Sequence, residues 1–280
     1  MSWVRRTASA LLPGAVAEPL RRLLRRLAVA RFRAYDARHA YGGQPLVVHI
    51  ADPLAQGWYD HDWDVGTEIT LLQQRGRLRP GARVFDIGAH QGVVALMLAG
   101  IVGPAGRVVA VEAVAHNARI ATRNAEANGS VQLAVVHAAI SDADGSLWLE
   151  DRWNGAVSRH PGVGVRVDAL TIDTLATRFG APDVLFIDVE GFELHALRGA
   201  AQTLTSHQPD LYVEAHVGAG LERFGTVADL LALIPAGYEL LVAPGEAGDF
   251  VALEVGRSLL AERFRLVAFA PRTSEITAHD

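Results

Sequence analysis

Cysteine is absent from the 280-residue chain, and so is lysine: all 26 basic residues are arginine. The missing cysteine excludes disulfides, thiolate zinc sites, iron–sulfur clusters and cysteine nucleophiles together. The missing lysine excludes Schiff-base catalysis and pyridoxal phosphate attachment, which need an amine nucleophile. Coding bias in a GC-rich genome accounts for it without a functional reason. No apolar run is long enough to cross a bilayer as a helix. Arg5 and Arg6 precede a short apolar run ending Ala15-Val16-Ala17, but Pro13-Gly14 breaks it, so a cleaved secretory signal is not expected.

What is present is apolar and unevenly charged. A hydrophobic content of 50% is ample for the core of one α/β domain, which excludes disorder for the body. The net charge is −5, yet residues 1–40 carry nine Arg against Glu18 and Asp36. That stretch is therefore +7 and the remainder −12. An acidic body lacks the basic face of a nucleic-acid binder, so no nucleic-acid partner is expected. Within the basic stretch, Leu20, Leu23, Leu24 and Leu27 fall at helical spacing, with Arg21, Arg22, Arg25 and Arg26 on the other side. Such a helix can pack on the acidic body, lie on a membrane surface or dock an acidic partner, and packing is the favoured reading. The helical pattern runs from Pro19 to about Ala30, and the arm ends at Gly42-Gly43. The expected organisation is an N-terminal helical arm at 1–42 and one domain at 43–280, in the cytoplasm, with the arm available for peripheral membrane contact.

The stretch Val84–Gly92 carries the most information. A short apolar run ends in Asp86, a turn bounded by Gly88 and Gly92 follows, then a helix-like run, then a second strand ending in Glu112. That layout suits a βαβ unit holding an adenosine-type cofactor, with the second-strand acid on the ribose hydroxyls. The frame Asp86-x-Gly88-x-x-x-Gly92 lacks glycines where a diphosphate needs them, with His90 and Val93 at those places. Asp86 would also sit badly beside a diphosphate. It suits a cationic ligand with an ammonium and a sulfonium, such as S-adenosylmethionine.

Four blocks carry a family resemblance: Phe85–Gly92, Val109–Glu112, Leu170–Leu175 and Phe186–Glu193, the last continuing through Leu197–Ala200 to Tyr212–His216. From about Asp60 to Ala270 the chain resembles the FkbM family of S-adenosylmethionine-dependent methyltransferases. The resemblance implies a Rossmann-like class I methyltransferase fold: an α/β, doubly wound, seven-stranded, mostly parallel sheet in the order 3-2-1-4-5-7-6. Two positions depart from the family pattern. Phe186 stands where Lys is usual, and Ala113 where Pro usually follows the ribose-binding Glu. The first removes a charge beside the expected site. The second changes only a loop. The segment Gly57–Trp63, dense in aromatics and acids, lies in the region that in the family covers cofactor and acceptor.

The alternation of elements agrees with that fold. Strands are expected at Val47–Ala51, Arg83–Ile87, Val108–Glu112, Gln132–His137, Val184–Asp188 and Asp210–His216, and an antiparallel finish at Tyr238–Ala243 and Phe264–Ala270. Helices are expected between them, including one continuous helix at Leu194–Leu204, and extra strands near Leu147–Glu150 and Val163–Val167. Ligands in such sheets bind beyond the carboxyl ends of the strands where the order reverses, so Asp86–Gly88 and Asp188–Glu190 should converge. The expected cofactor contacts are Asp86, Gly88, His90 and Asp188 on the methionine half and turn, Glu112 on the ribose, and Ala139 and Asp142 in the adenine loop. The candidates for the base that accepts a hydroxyl proton are His216, Glu190 and Asp188. The same groups could hold a divalent metal, a less favoured reading, and no metal ligand set is assigned. The expected activity is O-methylation of a hydroxyl on a sugar or specialised metabolite, the acceptor being a small molecule or glycan. A non-catalytic, partner-binding member of the fold and a nucleotide-cofactor oxidoreductase are the alternatives. Oligomeric state is not legible.

Overall fold

The computed structural model describes residue 23 and residues 27–150, 154–158, 162–245 and 248–272. It opens with a hairpin of β1 (Tyr35–Tyr41) and β2 (Gln44–Ile50), closed by Gly42-Gly43. Then follow α1 (Pro53–Tyr59), α2 (Thr67–Gln74), β3 (Arg83–Ile87), α3 (Val93–Val102), β4 (Arg107–Glu112), α4 (Ala115–Ala127) and β5 (Leu133–His137). An inserted sheet comprises β6 (Ala139–Ile140), β7 (Gly145–Glu150), β8 (Ala156–Val157) and β9 (Val165–Leu170). The main fold resumes with α5 (Ile172–Phe179), β10 (Val184–Ile187), α6 (Glu193–Arg198), α7 (Ala201–Ser206), β11 (Asp210–Ala215) and α8 (Val227–Ala232). It finishes with β12 (Glu239–Pro244), β13 (Val251–Ala252), α9 (Leu253–Gly256) and β14 (Phe264–Phe269).

The main sheet has eight strands rather than the expected seven, in the order β13-β12-β14-β11-β10-β3-β4-β5. The two-residue β13 adds itself outside β12 through an antiparallel pairing of Leu241–Val242 with Val251–Ala252. Numbered among themselves, the other seven run 3-2-1-4-5-7-6. Pairing is parallel from β5 to β11 and antiparallel through β14, β12 and β13.

Both faces of this sheet are buried, which is why its strands read as near-continuous apolar runs. Alternate residues serve two cores. Val84, Ala110, Phe186 and Tyr212 join α3 and the β1–β2 hairpin on one face. Phe85, Val109, Leu185 and Val213 join α5 to α8 on the other. Asp86 belongs to the first face, in line with apolar neighbours. It is an acid at a core position.

Three expectations need correcting. The boundary at 42 falls in the turn of a hairpin, so residues 35–41 belong with the body. Tyr41 is fully buried and its hydroxyl donates to the Tyr59 carbonyl at 2.5 Å. The reason is hydrophobic burial: the strand's alternate residues Ala37 and Tyr41 reach the main core. The leucine face of the arm is not buried where it is described, since Leu23 and Leu27 are both exposed. Leu20, Leu24 and the arginines between them lie outside the described residues. Finally, the helix expected at Leu194–Leu204 is two helices. The Gly199 carbonyl accepts from the Asp173 N–H, and the Asp173 carboxylate in turn accepts from the N–H groups of Gln202 and Thr203. A side chain from another helix thus caps the second half and breaks the run.

The hairpin's share in the core gives a test. Tyr41→Ala should lower stability by about 3–5 kcal/mol, read from urea unfolding. A loss below about 1 kcal/mol would place β1 outside the folding unit.

Candidate functional site

Two clefts open at the carboxyl ends of β3, β4 and β10 and share a wall made by Trp58, Gly88, His90, Asp188 and Arg263. The first, about 930 Å³, runs over Glu112, Ala138, Ala139 and Ile140 to Asn154–Val157 of the inserted sheet. The second, about 1260 Å³, lies over Asp86 and is walled by Trp58, Tyr59, Trp63, Phe186 and Tyr212.

The turn between β3 and α3 meets the turn after β10 almost backbone to backbone. Gly88 has φ +91°, and a Cβ there would lie 1.8 Å from the Asp188 carbonyl oxygen. Only glycine fits, and the expected convergence of Asp86–Gly88 with Asp188–Glu190 is thereby realised. The Asp188 N–H donates to the Ile87 carbonyl at 2.9 Å, extending the ladder one residue past the strands.

The acids divide by their partners. Glu112 is buried, and its two oxygens accept from the N–H groups of His90 and Val114 at 2.8 and 2.7 Å. Burial still pushes its carboxyl up to about 8, against the pull of those donors. Asp86 is also buried, its Oδ2 has no hydrogen-bond partner, and burial pushes its carboxyl up to about 7. Asp188 opens onto both clefts, with its side chain 46% exposed. Desolvation by the cleft walls and the nearby carboxylates of Glu214 and Glu190 hold it well above the usual range, opposed by His216 and Arg263.

His216 sits behind these acids, with its side chain 1% exposed. Its Nδ1 is 2.7 Å from Glu193 Oε1, and its Nε2 lies 3.5 Å from Asp188 and 3.7 Å from Glu190. Burial alone would lower its pKa, but the Glu193 bond and the three carboxylates raise it to about 9. At neutral pH it is a cation and not a vacant base. Glu190, held by Asn154 Nδ2 at 2.9 Å, lines the first cleft with φ +50°, a backbone region that costs a non-glycine residue about 1–3 kcal/mol.

The other predicted residues are placed as follows. His90 also has a positive φ, +48°; its Nδ1 meets the Tyr59 hydroxyl at 2.7 Å and its ring lies 5.1 Å from Trp58. Burial pushes it down to about 4, so it is neutral. Ala139 lines the first cleft. Asp142 does not: the chain has already turned into the inserted sheet, where the Ser141 N–H donates to Leu170, and Asp142 meets Ser141 Oγ and faces His195. Phe186, in place of the family's usual Lys, packs on Tyr212 with ring centres 5.2 Å apart. Sequence reasoning did not place Arg263 or Asn154 in the clefts. Trp58 stands in the segment expected to cover cofactor and acceptor, and Glu193, the third acid of its cluster, is fully buried and lines neither cleft. Among the described residues no group of three or more His, Cys, Asp or Glu is disposed to hold a metal ion.

A doubly wound sheet with a glycine turn at its reversal point, an acid closing the second strand and a buried unpartnered carboxylate defines a nucleoside-type site adapted to a positively charged ligand. The residues fit S-adenosylmethionine, whose ammonium would satisfy Asp86. The methyltransferase FkbM domain profile matches residues 86–240, more than half of the chain. The chain belongs to the FkbM family of S-adenosylmethionine-dependent methyltransferases.

Among solved structures, the chain is similar to a methyltransferase FkbM from Methylobacillus flagellatus KT, with 19% identity and a TM-score of 0.47, covering 67% of this chain and 43% of that one. It thus spans less than half of that relative's length. A SAM-dependent methyltransferase from Aquifex aeolicus is 16% identical, TM-score 0.41, covering 78% and 93%. Fibrillarin from Aeropyrum pernix with natively bound S-adenosyl-L-methionine is 13% identical, TM-score 0.43, covering 86% of each chain. No curated protein matches the chain.

The two raised carboxyls set a pH dependence for ligand binding. A cation pairs with ionised Asp86, so S-adenosylhomocysteine affinity, measured by titration calorimetry, should weaken as pH falls through about 8 and then 7. Asp86→Asn should remove the lower step and Glu112→Gln the upper. Glu112→Gln should also weaken binding by about 1.5–3 kcal/mol at high pH. Affinity independent of pH in all three proteins would contradict this assignment.

Proposed function

We propose that the protein transfers the methyl group of S-adenosylmethionine to a hydroxyl of a sugar or specialised metabolite, a small-molecule or glycan acceptor. The observation that carries this reading is the position of Asp188. It stands at the junction of the two clefts, in contact with the glycine turn on one side and open to the aromatic cleft on the other.

S-adenosylmethionine supplies, when bound, an electrophilic methyl on a sulfonium. Asp86, Gly88 and Asp188 hold the methionine half, Glu112 the ribose, with His90 fixing Glu112 through its backbone N–H, and Ala139 borders the adenine. The second cleft takes the acceptor: its aromatic walls give an apolar surface for a ring, and Glu68, Asp188, Glu214 and Arg263 in its lining offer polar groups to orient a hydroxyl. The bound cofactor would supply the methyl group and leave as S-adenosylhomocysteine, and the Asp188 carboxylate would accept the proton of the acceptor hydroxyl. Asp188, whose pKa lies above the usual carboxylate range, accepts that proton more readily than an ordinary surface acid. Glu190 lines the first cleft, beside Asp188, and is the second candidate. His216 has no access to an acceptor past them. A nicotinamide dinucleotide is disfavoured because Asp86 would repel its diphosphate.

The test is transfer from methyl-labelled S-adenosylmethionine to a panel of free monosaccharides, methyl glycosides and phenolic metabolites, with products identified by mass spectrometry. A methyl ether is expected; methylation only on nitrogen or carbon, or none while S-adenosylhomocysteine binds, would refute the reading. Asp188→Asn should cut turnover by about 10²–10⁴-fold. The active form is ionised, so the wild-type rate should fall as pH drops through the raised pKa of Asp188, above the normal carboxylate range. That acid limb should be missing in the variant.

A further inference from the structure

Glu193 is fully buried on the first turn of α6, and its charged partner is His216, just past β11, rather than a cation of its own helix. Its Oε1 accepts from the Gly191 N–H at 2.9 Å and meets His216 Nδ1 at 2.7 Å. Its Oε2 is buried without a partner. A carboxylate in such a place is costly unless a positive charge compensates it. The imidazole of His216 is that charge, and its Nε2, buried without a hydrogen-bond partner, lies 3.5 Å from Asp188 and 3.7 Å from Glu190, close enough to act on them by charge.

The backbone around this pair is tightly fixed. Gly191 has φ +93°, and a Cβ there would lie 2.7 Å from the Cα of Gly220, in the turn that follows β11. Two strand-end turns therefore touch, and Glu193 with His216 bridges them from behind. Arg263 also acts on Asp188, but it donates to Glu214 at 2.6 Å, and Glu190 accepts from the neutral Asn154 amide.

We propose that Glu193 and His216 form a positioning pair: Glu193 holds His216 with Nε2 forward, and His216 holds the Asp188 and Glu190 carboxylates at the cleft in their working geometry. Neither residue touches the acceptor. The role rests on the methyl-transfer reading, in which Asp188 takes the proton, but the arrangement can be tested without it. The groups facing His216 are Glu193 on α6 and Asp188 and Glu190 in the turn after β10. Glu214 on β11 and Arg263 ahead of β14 act on Asp188.

Removing the Glu193 charge should lower the pKa of His216. Its favourable charge on Asp188 is then weakened, so that carboxylate becomes harder to ionise. The decisive measurement is the titration of the His216 ring by NMR in the full chain. It should titrate near 9 in the wild type, and lower by more than one pH unit in Glu193→Gln and, separately, in Asp188→Asn. S-adenosylhomocysteine affinity, assayed at a fixed pH above 9, should stay within about threefold of wild type in Glu193→Gln, which also reports an intact fold. With any acceptor from the panel that is turned over, Glu193→Gln should slow transfer by about 10²-fold and move the acid limb to higher pH, whereas loss of Asp188 removes that limb. His216→Gln should reproduce the shift if Glu193→Gln does not fold, and the double variant should be no slower than the worse single one. A wild-type His216 that titrates near 6.5 and ignores both substitutions would overturn the pair. Absence of transfer to every acceptor, with the His216 titration as expected, would instead count against the proposed function alone.

Discussion

The contact on which the site depends is the close approach of the turn after β3 to the turn after β10. Parallel pairing sets Asp86 beside Phe186 and Ile87 beside Ile187, and the ladder runs on through the Asp188 N–H. At that distance a side chain on residue 88 would occupy the Asp188 carbonyl. Every other feature of the cleft follows from this one. The chain must diverge after β3 toward α3 and after β10 toward α6, which opens a crevice between them. The carboxylates that end the strands necessarily face into it.

The crevice is electrostatically unfinished. Asp86, Glu112 and Asp188 are all held above their ordinary pKa values by desolvation, and among the described residues no cation is paired directly with Asp86. Elsewhere in the molecule buried and partly buried acids are matched: Asp210 with Arg77, Glu68 with Arg265, Asp52 with His116 and Gln91. A protein that neutralises its other buried carboxylates but leaves these exposed to a cleft has placed them for a ligand of opposite charge. That contrast distinguishes the site from the background of ion pairs, which perturb pKa values for structural reasons alone.

The first helix and its aromatics complete the enclosure. Asp52 caps α1 and also accepts from Gln91 in the glycine turn, while Tyr59 at the other end of α1 meets His90. Both ends of α1 are thus tied to the cofactor turn, and Trp58 between them walls both clefts. The β1–β2 hairpin supports this helix from outside through Tyr41. The segment first read as the end of a separate arm is therefore part of the structure that shapes the site.

The amino-acid sequence by itself determined the strands of the main sheet, their order of chemistry and the strand-end acids Asp86, Glu112 and Asp188. Their signals are local: apolar runs bounded by an acid and a glycine report both element and site. The eighth strand, the break at Gly199, the hairpin that joins residues 35–41 to the body and the exclusion of Asp142 from the cleft were not legible. Each is decided by a partner distant in the chain, such as Asp173 capping α7. The roles of the acids were likewise decided only by tertiary structure. His216 reads in the sequence as the most suitable base. Folding places Glu193 against one of its nitrogens and two carboxylates before the other, and charge held by neighbours, not residue type, makes it a buried cation instead.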